Sequence, residues 1–124
     1  MANIPRIAES EWMVMKLLWE KSPLTAQEVI DRLAGTTTWK PKTVKTLLSR
    51  LLNKQAIGYD KKGRIYEYYP LVKEDECVRE ESFSFLERVY GGSFNAMLAN
   101  FLEYRKPSRE EIEELKKLLE NSGD

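Results

Sequence analysis

The stretch that decides the fold lies between residues 41 and 53 and reads PKTVKTLLSRLLN. Proline suits the first turn of a helix, where its missing N–H costs no hydrogen bond. Apolar residues then recur at helical spacing and form one stripe. The opposite face carries basic and hydroxyl side chains but no acid. The sequence therefore predicts an amphipathic helix with a basic exposed face. The stripe consists of Val44, Leu47, Leu48, Leu51 and Leu52, and the polar face of Lys42, Thr43, Lys45, Thr46, Ser49, Arg50 and Asn53.

Two helices are predicted before this stretch and a β-hairpin after it. Trp12, Met15 and Trp19 share one face of a helix over residues 8–20. Thr25 and Glu28 have the spacing of a capping box for the second helix. Two β-like segments, 56–60 and 65–69, flank a basic turn that contains glycine. Three helices followed by a hairpin are typical of a winged helix-turn-helix, with the third helix in the major groove and the hairpin as the wing.

The remainder of the chain is helical by pattern, with amphipathic stripes over residues 73–90, 94–102 and 112–119. The predicted fold class is therefore mainly α, with a small β contribution (α+β). We expect a winged helix-turn-helix domain over residues 1–72 and a small three-helix dimerisation domain over residues 73–124.

Charge is divided unevenly between these halves. Residues 1–72 hold twelve Lys and Arg against seven Asp and Glu, and residues 73–124 hold eight against thirteen. Between Lys40 and Arg64 there are eight basic residues and one acid, Asp60. Such a concentration of positive charge attracts a polyanion.

Several classes of protein are excluded by what the sequence lacks. It contains no His and one Cys, so His-dependent nucleophilic catalysis, a disulfide within the chain and a Cys-rich metal site are excluded. We expect no catalytic residue, no metal site and no cofactor, and the chain is not predicted to be an enzyme. No apolar run approaches the length of a membrane span and no signal peptide opens the chain, so a cytoplasmic protein is expected.

The basic face of the third helix fits double-stranded DNA by its chemistry. Lys and Arg bind phosphates or guanine edges, and Ser and Thr contact bases or the thymine methyl group. An ordinary solvated helix face usually mixes acids with bases. Use of the same face to bind an acidic protein stays an open alternative. The predicted DNA-binding residues are Lys40, Lys42, Thr43, Lys45, Thr46, Ser49 and Arg50 on and beside the helix, and Lys61, Lys62 and Arg64 in the wing turn.

The apolar stripes after residue 72 belong to helices too short to bury a sufficient core alone. They either pack back on the first domain or cover one another in a homodimer, and the acidic balance of this half favours the dimer. The predicted dimer interface consists of Phe85, Leu86, Val89, Phe94, Met97, Leu98, Phe101, Leu102, Ile112, Leu115 and Leu119.

The order and the residue identities of several motifs resemble those of the BlaI/MecI family of winged-helix regulators, the penicillinase and methicillin-resistance repressors. The resemblance covers nearly the whole chain. It rests on AESEWMVM at residues 8–15 with Trp19, WKPKTVKTLLSRL at 39–51, VYGGSFN at 89–95, LANF at 98–101 and EEIEEL at 110–115.

The resemblance implies a homodimeric transcriptional repressor that binds dyad operators of the TACA/TGTA type. It also implies release from DNA by proteolysis under the control of a membrane-bound sensor protease, while the repressor itself is not membrane-associated. The scissile bond of the family lies in an Asn-Phe pair, which is Asn100-Phe101 in this sequence.

Two questions about the switch stay open in the sequence. Phe101 lies on the apolar stripe of its helix, so it is either a plain dimer-core residue or also part of a cleavage site. A buried helical bond must open locally before a protease cuts it, so the two roles are compatible. The alternative switch is a small ligand that releases the regulator from DNA without cleavage.

Overall fold

The structure, a computed structural model, describes residues 4–123. The ends of the two predicted domains, residues 1–3 and 124, lie outside this range. The elements follow the predicted order, with one additional short strand. They are α1 (Glu9–Glu20), β1 (Leu24–Thr25), α2 (Ala26–Leu33), α3 (Pro41–Asn53), β2 (Ile57–Lys62), β3 (Ile65–Pro70), α4 (Glu74–Tyr90), α5 (Phe94–Tyr104) and α6 (Arg109–Ser122).

The sheet has the order β1-β3-β2 and is antiparallel throughout. The hairpin pairs Ile57 with Pro70 and Lys62 with Ile65, so its turn consists of two residues. Gly63 takes a φ of +65° at the first turn position, where a type II′ turn demands glycine. The short strand β1 pairs Leu24 with Tyr68 and thereby joins the wing to the start of α2.

The core of the first part of the molecule is built from the predicted stripe of α3 and the facing sides of α1 and α2. Val44, Leu47, Leu48 and Leu51 are buried, as the spacing predicts, while Leu52 is half-buried. The predicted fold class is confirmed: the chain is mainly helical and carries the three-helix-plus-hairpin order of a winged helix-turn-helix. The residues that pack against the α3 stripe include Val14, Met15, Leu18, Leu24, Val29, Leu33, Ala56 and Ile57.

A buried carboxylate connects α1 to the end of α3. Glu11 is 1% exposed and accepts a hydrogen bond from the Ala8 backbone N–H at 2.9 Å, which satisfies the first turn of α1. The Lys54 ammonium, directly after α3, forms an ion pair with the same carboxylate and donates to the Arg6 carbonyl at 2.9 Å. The pair therefore fixes the C-terminal end of α3 against the start of α1.

The described chain divides into two compact units between Ser82 and Phe83, inside α4. The predicted domain division after Val72 stays a prediction, because a helix that crosses a boundary does not show where independent folding ends. No helix within residues 4–123 combines the length and the hydropathy needed to cross a membrane.

The second unit contains the end of α4 and all of α5 and α6. Ser108 caps α6 by accepting from the Glu111 N–H at 3.1 Å, and the Glu111 carboxylate accepts from the Ser108 N–H at 2.9 Å. The Arg105 guanidinium donates to both carboxylate oxygens of Glu111, at 2.6 and 3.2 Å. Among the described residues from 83 to 123, none is buried.

The Glu111 contacts predict a pH dependence of the stability of this unit. The Arg105 guanidinium, together with the Ser108 N–H, lowers the pKa of Glu111 from 4.5 to about 2. Because the folded-state pKa lies below the unfolded one, the stabilisation is complete above pH 4.5 and is lost as the pH falls towards 2. Glu111→Gln is expected to lower the melting temperature at pH 7, and the deficit is expected to shrink between pH 4.5 and pH 2. Thermal melts followed by circular dichroism measure the difference in melting temperature between the variant and the parent at each pH. Glu114→Gln, at an exposed position, is the control. A difference that is constant with pH contradicts the prediction.

Candidate nucleic-acid interface

The exposed face of α3 begins at a helix end that is positively polarised. Pro41 occupies the first turn, Lys40 is the N-cap residue without a side-chain cap, and the described first turn contains no acid. Free N–H groups and the helix dipole at such an end favour a negatively charged partner. The structure places all seven predicted residues of this face in solvent: Lys40, Lys42, Thr43, Lys45, Thr46, Ser49 and Arg50 are exposed.

Thr46 has a defined hydrogen-bond direction within this face. Its hydroxyl donates to the Lys42 carbonyl one turn earlier, at 3.0 Å. The hydroxyl proton is therefore used inside the helix, and the outward lone pairs are available as acceptors. Towards a base pair, this geometry favours the amino groups of adenine or cytosine as hydrogen-bond partners and leaves the Thr46 methyl group free to pack on thymine.

The tip of the wing presents three basic residues: all of them were predicted to lie in the turn, but Lys61 and Lys62 end β2 and Arg64 alone lies in the two-residue turn. Two of the three have contacts within the hairpin. The Lys62 ammonium lies 3.1 Å from a Glu67 carboxylate oxygen. The Lys61 ammonium lies 5.8 Å from the ring centroid of Tyr66, which in turn stacks on Tyr59 with centroids 4.4 Å apart. Lys61, Lys62 and Arg64 are exposed, as predicted. The Glu67 carboxylate offsets part of the charge of Lys62, so Lys61 and Arg64 carry more of the wing's net positive charge.

A groove brings the basic residues of α3 and of the wing together. Lys45 from α3 and Lys61 and Arg64 from the wing line it. Lys45 is distant in sequence from Lys61 and Arg64, and the pairing of β1 with β3 places the start of α2 beside the wing strand in the same groove. The remaining lining residues are Thr25, Ala26 and Gln27 at the start of α2 and Ile65, Tyr66 and Tyr68 on β3.

The sequence predicted the cations of this groove, but the other polar residues that line it, Thr25, Gln27 and Tyr68 among them, were not predicted to lie there. Thr25 was identified as a helix cap, and it does cap α2 by accepting from the Glu28 N–H at 3.1 Å. Burial, followed by the neighbouring Tyr66 and Tyr59, raises the pKa of Tyr68, so its phenol stays protonated at neutral pH. The strand β1, which brings the start of α2 beside β3, is the feature that would have revealed the groove.

The predicted cleavage residues lie in the second unit. Asn100 and Phe101 are consecutive residues of α5, and the Phe101 side chain is 49% exposed. The Asn100 amide donates to the Tyr90 hydroxyl at 2.8 Å, and the Phe101 ring packs edge-on against Tyr90 with centroids 6.4 Å apart. Since α5 is regular here, the Asn100–Phe101 peptide bond lies in helical backbone.

The predicted dimer interface is partly or fully open to solvent in the single chain. The half-buried members are Phe85, Leu86, Met97, Leu98 and Leu115, and the exposed members are Val89, Phe94, Phe101, Leu102, Ile112 and Leu119.

The fold and the exposed basic helix define the class of the molecule as a winged helix-turn-helix protein. The profile of the penicillinase repressor family matches residues 7–121. The chain belongs to this family. The predicted resemblance is therefore confirmed.

Individual relatives of this family are similar to the chain over most of their own lengths. A penicillinase repressor of Bacillus licheniformis is 44% identical over 120 residues, which are 97% of this chain and 94% of the relative. The methicillin resistance regulatory protein MecI of Mammaliicoccus sciuri is 38% identical over 91% of this chain and 92% of the relative. The first relative is named as a repressor and the second as a regulatory protein, and the prediction that the chain is not an enzyme is confirmed.

A solved structure also matches part of the chain. The solution structure of Bacillus licheniformis BlaI, in its monomeric form with the blaP half-operator, is 42% identical and has a TM-score of 0.54. The match covers 61% of this chain and 93% of that chain.

Proposed function

We propose that this chain is a homodimeric transcriptional repressor that binds a dyad operator of the TACA/TGTA type. The observation that carries the proposal is the groove in which Lys45 of α3 meets Lys61 and Arg64 of the wing. A relative with 42% identity over 61% of this chain is known in complex with a half-operator, which supports the same use of the surface.

In this proposal α3 enters the major groove and the hairpin lies along the DNA backbone. Thr43 and Thr46 contact base edges, together with Lys42 near the start of the helix. Positive side chains at the flanks and in the wing bind phosphates, which position α3 but carry no sequence information. The phosphate-binding group consists of Lys40, Lys45, Arg50, Lys61, Lys62 and Arg64, and Ser49 lies between the two sets on the exposed face.

A second copy of the chain is proposed to cover the apolar residues of the second unit. Val89, Phe94, Leu119 and their neighbours are exposed in the single chain, although residues 83–123 have no buried core of their own. Apolar residues of this density are stabilised when an identical surface covers them. A dimer also presents two copies of α3 to the two half-sites of a dyad.

The switch is proposed to be proteolysis between Asn100 and Phe101 by a membrane-bound sensor protease, while the repressor itself is not membrane-associated and acts in the cytoplasm. A cut there divides α5, which carries Phe94, Met97, Leu98 and Phe101 of the proposed dimer interface. Loss of the dimer separates the two α3 helices, and each half then binds its half-site with the lower affinity of a single contact.

Fluorescence-anisotropy titration tests DNA binding and its specificity directly. The intact chain is titrated into a labelled duplex with a TACA/TGTA dyad and into a scrambled duplex, across a salt series. We expect preference for the dyad by a factor on the order of 10³ or more, with a steep salt dependence on both duplexes. Equal and weak binding to both duplexes contradicts the proposal and favours an interaction with an acidic protein instead. Release from the dyad by a small ligand, without cleavage, contradicts the proposed switch only.

Substitutions at Thr46 test base readout by its hydroxyl and its methyl group separately. Thr46→Val keeps the methyl group and removes the acceptor, whereas Thr46→Ser keeps the acceptor and removes the methyl group. If Thr46 accepts from a base, Thr46→Val is expected to lower the preference for the dyad by about 1–2 kcal/mol, because the base amino group loses its partner. Thr46→Ser then has the smaller effect, and scrambled DNA binds both variants like the parent. If neither variant changes the ratio of affinities, Thr46 does not read a base.

A further inference from the structure

Tyr90, the last residue of α4, contacts both residues of the Asn100–Phe101 peptide bond. Its hydroxyl accepts the hydrogen bond from the Asn100 amide at 2.8 Å. Its ring meets the Phe101 ring nearly at a right angle, 87°, with centroids 6.4 Å apart. On α4 itself the same ring packs edge-on against Phe85 at 5.9 Å. We propose that Tyr90 is a latch that holds this peptide bond in helical form and so sets how readily the bond is cut. The inference rests on the proposed cleavage.

A latch matters here because, in the single chain, burial does not protect this peptide bond from a protease. In the single chain Asn100 is exposed and Phe101 is 49% exposed, so whenever the proposed dimer partner does not cover them a protease reaches both side chains. Proteases bind their substrates in extended form, and the helical backbone is therefore the barrier to cleavage. The helix must open locally, and the rate of cutting follows the population of the open form when closing is fast.

The bond lies close to the end of α5, where opening is easiest. The last residue of α5 is Tyr104, and the Arg105 N–H donates to the Phe101 carbonyl at 3.1 Å. Fraying of this final turn therefore reaches the Phe101 carbonyl directly. The Tyr90 contacts hold Asn100 and Phe101 against α4 from the other side, and they must break before the bond becomes extended.

The turn between α4 and α5 places Tyr90 where it reaches this bond. Gly91 and Gly92 have φ values of +59° and +86°, which a glycine adopts without strain. The Gly92 N–H donates to the Leu86 carbonyl at 3.0 Å, and Ser93 caps α5 by accepting from the Ala96 N–H at 3.1 Å. The corner is thus defined by one backbone hydrogen bond and one side-chain cap, and the latch joins the last residue of α4 to the C-terminal half of α5.

Limited proteolysis of the intact chain with thermolysin tests the latch. Thermolysin is a zinc protease that cuts on the amino side of large apolar residues, so both Asn100–Phe101 and Glu114–Leu115 are substrates. Mass spectrometry follows the appearance of fragments 1–100 and 1–114 in time. Tyr90→Phe keeps the ring and removes the hydroxyl, and it is expected to speed cutting at Asn100–Phe101 about 5-fold, the factor of one net hydrogen bond. Tyr90→Ala also removes both ring contacts and is expected to speed it about 50-fold.

Two controls separate a latch from a general loss of stability. Tyr104→Phe makes the same chemical change in α5 at a side chain that is 86% exposed, and its cutting rate should equal that of the parent. The Glu114–Leu115 bond in α6 serves as an internal reference, since unfolding of the whole unit accelerates both cuts alike. The latch is overturned if Tyr90→Phe is cut at the parent rate, or if the two bonds accelerate equally.

The same samples show separately whether the latch exists and whether cleavage is the switch of the proposed function. The parent chain cut at Asn100–Phe101 is titrated into the dyad duplex. Binding as tight as that of the intact chain overturns cleavage as the switch, whatever the cutting rates are. Weakened binding together with an unchanged rate in Tyr90→Phe overturns the latch and leaves the switch in place.

Discussion

Lys54→Met is expected to reduce the free energy of unfolding of the first compact unit, which ends at Ser82 and is called the winged-helix unit below, by about 3 kcal/mol. The reason lies in the partner that remains. Glu11 is 1% exposed, so its carboxylate loses the positive charge beside it and stays out of reach of water. The methionine stem fills the same space as the lysine stem. The cost is therefore that of an unpaired buried charge, and lost packing contributes little.

Removal of the other partner is expected to cost less. Glu11→Gln keeps an oxygen that accepts from the Ala8 N–H, and the Lys54 side chain is 34% exposed and reaches water. We expect a loss of about 1 kcal/mol, the net value of an ordinary hydrogen bond. The double variant Lys54→Met with Glu11→Gln has no buried charge, so it should be more stable than Lys54→Met alone.

Urea unfolding followed by tryptophan fluorescence measures these differences. Trp12, Trp19 and Trp39, all three tryptophans of the chain, lie before residue 72, so the signal reports the winged-helix unit. A shift of the midpoint with unchanged dependence on urea shows a change in stability. If Lys54→Met costs no more than Glu11→Gln, the buried carboxylate is not the origin of the effect.

Lys45→Glu is expected to weaken binding to the dyad duplex and to the scrambled duplex alike, by about 30-fold at physiological salt. Lys45 lies on α3 in the groove that Lys61 and Arg64 also line, where positive potential is concentrated. The substitution removes one phosphate contact and places a like charge beside the DNA backbone. The slope of log affinity against log salt should therefore fall by about two units.

The control carries the same change of net charge at a distance in sequence from this groove. Lys117→Glu lies on α6 and is expected to leave both affinities within about 2-fold of the parent, since an exposed charge outside the contact is screened by salt. Anisotropy titrations at several salt concentrations measure both variants. A loss that affects the dyad but spares the scrambled duplex would show that Lys45 reads a base.

The elements of the proposed DNA-binding surface were predictable because local chemistry determines them. Pro41 starts α3, the stripe from Val44 to Leu51 is buried, and Gly63 takes the positive φ that the hairpin turn needs. The second helix is an instructive exception at its end. Glycine often follows the end of a helix, and Gly35 lies nearby, but α2 ends at Leu33, whose carbonyl accepts from the Thr37 N–H at 2.8 Å and the Thr37 hydroxyl at 3.0 Å.

Features that depend on distant partners were not predictable. Glu11 belongs to a residue type that is rarely buried, and its partner Lys54 lies 43 positions away. The strand β1 has two residues after Pro23, too few to show alternation. The contact of Tyr90 with Asn100 depends on the angle of the Gly91–Gly92 corner, which no periodicity encodes. Each of these is a tertiary contact that overrides or adds to local preference.

The lack of any buried residue between 83 and 123 also determines what would follow the proposed cut. The segment released would be residues 101–124, 24 in number; its described part, 101–123, contains α6 and no buried residue, and an isolated helix of that length is marginal in water. The two fragments therefore have no folded complement through which to reassociate, and unfolded termini are the preferred substrates of degradation. Recovery of repression after a signal would then depend on newly synthesised protein. The time needed to restore repression would be set by translation and cell growth, and the equilibrium of DNA binding would not shorten it.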